Sequence, residues 1–131
     1  MIDARDGDPL TVSVNGEVVA NNIILCISSD SRMTGLLDRK EIGLDDGILM
    51  VMPGKRAGKS GFITSIHMIG MKFDITATWI NDGGEVVRSV LAKKWRPYYG
   101  SSKPAWYVLE MHPEHLDKVK EGERVEFNVT Q

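Results

Sequence analysis

His67 lies among Ile66, Met68, Ile69 and Met71, and it is the side chain whose type and setting come closest to chemistry. An imidazole titrates near neutral pH, so in a cleft it serves as acid, base or ligand. Buried in an apolar run, it needs a hydrogen-bonding partner instead. A satisfied core histidine is the ordinary reading of such a stretch. The other two histidines belong to His112-Pro113-Glu114-His115, which superficially matches a zinc helix. The metalloprotease arrangement sets its histidines four apart with Glu directly after the first, and this spacing differs. His112 is expected at a helix cap and His115 in the first turn, both exposed, and no metal site is assigned.

Two further stretches imitate known chemistry. Gly54-Lys55-Arg56-Ala57-Gly58-Lys59-Ser60 looks like a phosphate-binding loop. That motif needs four residues between its glycines and a helix after the Ser, and here three residues intervene and no helical pattern follows. A solvated basic loop between strands accounts for it. Lys93 to Tyr107 gathers Trp95, Tyr98, Tyr99, Trp106 and Tyr107, with Lys93, Lys94, Arg96 and Lys103 between them. Such a stretch could stack bases or hold an anion. The plainer reading is a loop whose aromatics roof the core while the lysines stay in water.

Charge favours the plainer reading, because a formal net charge of -2 gives no overall field to gather nucleic acid or an anionic membrane. Nucleic acid is therefore not expected as a partner. With 131 residues, 42% hydrophobic and 26% charged, the chain suits a single domain over 1–131 with its own core. Cys26 is the one cysteine, which excludes an internal disulfide and a cysteine-based metal cluster. Within the apolar run Ile23 to Ile27 it reads as a buried, inert thiol. No cofactor is implied. Met1 to Pro9 is acidic and polar, unlike a secretory signal, and no apolar stretch is long enough to span a bilayer. The expectation is a cytoplasmic protein without membrane attachment.

The elements that must position these side chains are mostly strands. Leu10, Val12 and Val14 alternate with polar residues before Asn15-Gly16, a pair suited to a tight hairpin into Glu17 to Ala20. Ile23 to Ile27 reads as a further strand. Ser29-Asp30-Ser31 offers caps for a short helix carrying Met33, Leu36 and Leu37 on one side, with Gly35 inside it where another backbone packs closely. Asp45-Asp46-Gly47 marks a turn, and Ile48 to Met52 is apolar throughout, as a central strand covered on both faces would be. Phe62 to Ile66 resumes an extended pattern. Phe73 to Ile80 and Glu85 to Leu91 flank Asn81-Asp82-Gly83-Gly84 and should pair antiparallel. After the strand Ala105 to Met111, Pro113 opens a second short helix with Leu116 and Val119 on one side and Gly122 beyond its end. Arg124 to Val129 is the last strand, with Val125, Phe127 and Val129 inward. This is a mainly β (α+β) chain: a curled antiparallel sheet or small open barrel of about seven strands with two short helices.

Several segments in order resemble one family. They are Arg32-Met33-Thr34-Gly35-Leu36-Leu37-Asp38-Arg39, Asp46-Gly47-Ile48-Leu49, Ser65 to Phe73, Lys94-Trp95-Arg96 and Tyr107-Val108-Leu109-Glu110. Together they are similar to the bacterial and archaeal domain of unknown function family 192, over about Arg32 to Phe127, most strongly at His67 to Phe73. The resemblance implies a compact, mostly β fold with short helices and no established activity. Members continue after Gly-Met-Arg-Phe with Pro, an aliphatic residue and Asp, whereas here Asp74, Ile75 and Thr76 follow. Asp74 shares a strand face with the usual acid position, about 6 to 7 Å away along the strand. Arg32 and Glu110 match the family pattern directly, and their plain reading is a buried ion pair fixing the first helix to the barrel.

These readings converge on a non-catalytic binding or interaction domain for a small molecule or a protein. Its pocket would be bordered by Arg32, His67, Met71, Asp74 and Glu110 and roofed by the loop that carries Trp95. No nucleophile, base and orienting group are recognisable, and no catalytic residue is assigned. The competing enzyme reading needs Asp74 or Glu110 to hold the tautomer of His67. A third reading, single-strand nucleic-acid binding through 93–107, would require salt-sensitive association.

Overall fold

The computed structural model describes residues 3–131. Its strands are β1 (Pro9–Val14), β2 (Glu17–Cys26), β3 (Asp46–Val51), β4 (Ile75–Ile80), β5 (Val86–Ala92), β6 (Tyr107–Met111) and β7 (Val125–Val129), with one α-helix, α1 (Ser29–Thr34), and 3-10 helices at Gly61–Thr64 and Pro113–Lys118. The strands form one sheet in the order β5-β4-β6-β3-β2-β1-β7. Asn15 and Gly16 turn β1 into β2 at φ 51° and 85°, the left-handed pair that such a hairpin demands. Every pairing is antiparallel except β2 with β3. A parallel pair needs a crossover, and the segment that supplies it carries α1 across the sheet.

The sheet curls until its two ends touch. Glu85 and Arg124 form a single bridge, and Val86 N donates to Glu123 O at 2.9 Å, but β5 and β7 share no ladder. The result is an open barrel of seven strands, as the strand count and turns predict. Leu10, Val12, Ile23, Leu25, Leu49, Leu109 and Met111 fill the inside of the curl. On the outer face of the middle strands, Ile48, Met50, Ile75, Ala77, Trp79 and Val108 form a second apolar cluster with Leu36, Met68 and Met71. Strand β3 is central and covered on both faces, which is why Ile48 to Val51 shows no polar alternation.

The local departures have physical reasons. One ten-residue strand, β2, replaces the two expected between Glu17 and Ile27, because a register shift against β1 absorbs the exposed Asn21 and Asn22 without ending it. Gly35 is not inside α1 but ends it, at φ 48° and ψ -121°, where a Cβ would meet the Ile48 side chain at 3.4 Å. The helix therefore buries Leu36 beyond its end, while Met33 stands 77% exposed. Phe62 to Ile66 is not a strand. Phe62 and Ile63 are exposed, so an extended segment would have no face to bury, and a 3-10 turn forms instead. Trp79 fastens that turn to the sheet, donating from Nε1 to the Thr64 carbonyl at 2.8 Å. His115, expected at the surface, is buried, and its Nε2 meets the Leu44 carbonyl at 2.5 Å, tying the second 3-10 helix to the loop before β3.

Gly47 lies within β3 rather than in the turn before it, opposite Met111 of β6. A Cβ at this position would collide with the Glu110 carbonyl oxygen, which is backbone and cannot yield cheaply. Gly47→Ala should therefore destabilise the fold by about 1–3 kcal/mol through overpacking of the β3–β6 ladder. Urea unfolding checks this, and a midpoint equal to that of the parent would refute the close approach.

Candidate functional site

The outer face of β3 and β6 is only partly covered. A pocket of about 330 Å³ opens between that face, α1 with the residues after it, and the segment around Ile63 to His67. Its lining brings together Arg32, His67, Met71 and Glu110, four of the six residues expected there. Ile48, Met50 and Glu110 come from adjacent strands, since Ile48 pairs with Glu110 across the β3–β6 ladder. Met71 is buried in the wall and His67 is exposed at the rim, so His67 is not a core histidine.

Asp74 and Trp95 do not line this pocket. Asp74 stands one residue before β4, where the alternation that sends Ile75 into the outer apolar cluster turns it off that face and toward the loop after β5. Its Oδ1 accepts from Lys94 N at 2.9 Å, and its Oδ2 lies 3.6 Å from Lys93 Nζ. Trp95 is 64% exposed rather than a roof, with its backbone N donating to Met68 O at 2.8 Å. Arg56 is a pocket residue that the sequence concealed, because it sits in the basic loop that only imitates a phosphate site. Its loop was visible in the sequence, but the fold that swings it over β3 was not.

Glu110 dominates the electrostatics. It is 7% exposed, and among the described residues its carboxyl group has no ion-pair partner. Burial in the apolar face pushes its pKa up to about 7, with no compensating hydrogen bond or charge. The ion pair expected between Arg32 and Glu110 is not formed. Arg32 instead turns back along its own helix and donates from Nη1 to the Ile27 carbonyl. The two groups thus share one pocket, with the cation committed to backbone and the acid uncommitted.

The pocket wall is pinned from the chain's beginning. The cap of α1 is Ser28, whose side chain accepts from Ser31 N at 3.1 Å, rather than one of the three residues after it. Asp6 Oδ1 accepts from Ile27 N at 2.7 Å and from Ser31 Oγ at 2.8 Å. The Ile27 amide is the main reason the Asp6 carboxyl is held down at about 2. Cys26, at the end of β2, is buried with its thiol pushed up to about 11, chiefly by desolvation, so it is an inert packing group.

The family model for DUF192, described as an uncharacterized ACR, matches residues 10–127. This chain belongs to that family. A search of curated proteins finds no match. Two solved structures share the DUF192 chain's fold. One is a protein of unknown function from Novosphingobium aromaticivorans DSM 12444, 18% identical, with 90% of this chain and 83% of that one covered at a TM-score of 0.73. The other, from Sinorhizobium meliloti 1021, bears the description "putative transcription regulator" and is 18% identical over 95% of this chain and 98% of that one, with a TM-score of 0.76. At such identity the likeness speaks for the fold alone.

The Glu110 carboxyl makes stability depend on pH in a defined direction. Its proton is held to about 7 in the folded chain against an ordinary value of 4.5, so the folded form binds the extra proton between those limits. Stability should be greatest below the ordinary value and fall as pH rises through this window, by at most about 3 kcal/mol at ~1.4 kcal/mol per unit. Glu110→Gln should flatten the dependence and be the more stable protein at pH 8. Denaturation of both proteins at pH 5 and 8 measures it, and parallel curves would show that the carboxyl is not desolvated.

Proposed function

We propose that this DUF192 chain is a non-catalytic binding module for a compact, mainly apolar molecule carrying one acidic group. The observation that carries the reading is the unpartnered, buried Glu110 sharing a pocket with Arg32, Arg56 and His67. The apolar lining of Ile48, Met50, Ile66 and Met71 suits the body of such a ligand. Cationic and imidazole groups at the rim suit its acidic end. Glu110, protonated below about 7, can donate to an oxygen at the inner end and accept from a donor above that pH. A pocket of this size admits a molecule of metabolite dimensions.

Catalysis by His67 has less support, because Asp74 is engaged by Lys93 and Lys94 and Glu110 is apolar-bound at the pocket floor. The specific point in favour of an enzyme is that a carboxyl poised near neutrality is what a general acid needs.

A thermal-shift series with medium-chain and aromatic carboxylic acids tests the binding reading, since a ligand that prefers the folded state raises its melting temperature. The expected result is a concentration-dependent rise at pH 6 that shrinks in Arg56→Ala and changes its pH dependence in Glu110→Gln. No shift for any acid, or equal shifts in all three proteins, would remove the pocket from consideration.

A further inference from the structure

The net charge of the chain conceals a strong separation. Residues 53–73 and 86–109 hold nine of its sixteen Lys and Arg and none of its eighteen Asp and Glu. The fold joins these two segments. Ile66 bridges Tyr99, Lys59 bridges Ala105, Met68 N donates to Arg96 O at 2.7 Å, and Trp95 N donates to Met68 O at 2.8 Å. The seam so formed bears large aromatic faces in water. Phe62 is 82% exposed, Trp95 64% and Tyr98 48%, and the Phe62 and Tyr98 rings stack on each other with centroids 6.4 Å apart and planes 4° apart. Lys93, Lys94, Arg96 and Lys59 beside them are exposed.

Trp95 is held out at a cost. It has φ 71°, a left-handed backbone that a bulky residue adopts only with strain. The Asp74 carboxylate fixes this turn through Lys94 N and Lys93 Nζ, which assigns that acid a positioning role at the seam. The separation of Trp95 from Tyr98 spans three residues, at most about 10 Å of chain, so the two aromatic stations lie close together.

We infer that this seam binds single-stranded nucleic acid, with Trp95 and the Phe62–Tyr98 pair stacking bases while the flanking lysines and arginines contact phosphates. Charge complementarity points to a polyanion. Flat, exposed rings select unstacked bases over an acidic polypeptide, because every base offers a π-face. Among the described residues the one α-helix, the six-residue α1, is committed to the pocket wall, so it is not free to read a duplex groove.

Fluorescence anisotropy with a labelled oligo-dT of about 15 nucleotides tests this on the full chain. Binding is expected at low salt and should weaken steeply between roughly 50 and 200 mM. The Lys94→Ala/Arg96→Ala protein, which leaves the Lys93–Asp74 tie in place, should lose about 1.4 from the log–log salt slope, two contacts at ~0.7 each. Trp95→Gly should bind about tenfold more weakly while melting no lower than the parent, because glycine relieves the strained φ. Trp95→Phe, which keeps a stacking face, should retain most of the affinity. Absence of binding at low salt, or a Trp95→Gly protein that binds like the parent, would overturn the inference. Equal competition by a poly-glutamate peptide would also overturn it and reassign the seam to an acidic protein partner.

Discussion

Three neighbouring strands, β3, β6 and β4, are buried on both faces, and that single fact obliges the rest of the chain to cover them twice. The inner face is covered by the sheet itself. Strands β1, β2 and β7 curl round until Glu85 and Arg124 bridge, enclosing Leu49, Leu109 and Met111 with Leu10, Val12 and Ile23. The outer face has no second sheet. It is covered by connecting segments, namely the crossover with α1, the 3-10 turn at Gly61–Thr64 and the stretch around Met68 and Met71. Burying both faces removes apolar surface from water, at roughly 25 cal/mol per Å², without requiring more strands than the chain has.

A cover assembled from loops is less continuous than one made from a sheet, and the pocket is the gap it leaves. Two hydrogen-bonded ties set the width of that gap. Asp6 fastens the start of α1 on one side, and Trp79 fastens the 3-10 turn through the Thr64 carbonyl on the other. Glu110 occupies the floor because the alternation of β6 sends it to the same face as Val108. A hydrophobic residue there would pack better, and a carboxylate there with no cation costs free energy in the ionised form. Such an uncompensated group on the floor of a pocket that also holds Arg32, Arg56 and His67 is the main physical reason to connect the pocket with function.

Charge is divided unevenly among the loops. Residues 53–73 and the loop after β5 that bridges to them carry basic and aromatic residues and no acid, whereas the crossover with α1 carries Asp30, Asp38, Glu41 and Asp45. Pocket and seam thus meet at residues 53–73, which line the cavity with Arg56, Ile63 and Ile66 and, with the loop after β5, expose Phe62, Trp95 and Tyr98. Asp74 belongs to the second of these. Its place beside Lys93 and Lys94 shows how one residue before a strand can serve the loop across from it rather than the face below.

The amino-acid sequence by itself determined the strand count, the hairpin at Asn15-Gly16, the central position of β3 and the inert burial of Cys26. Each follows from short-range constraints: alternation, a left-handed turn pair, or an apolar run. It also pointed to Arg32, His67, Met71 and Glu110 as neighbours, through their membership of one family pattern rather than through any spacing. Only the tertiary structure decided that Phe62 to Ile66 abandons the extended form, that His115 is buried, that Arg32 bonds to Ile27 O instead of Glu110, and that Asp74 and Trp95 leave the pocket. Those outcomes depend on which surfaces remain to be covered once the sheet has curled. That depends on contacts between residues far apart in the chain, and no local pattern encodes it.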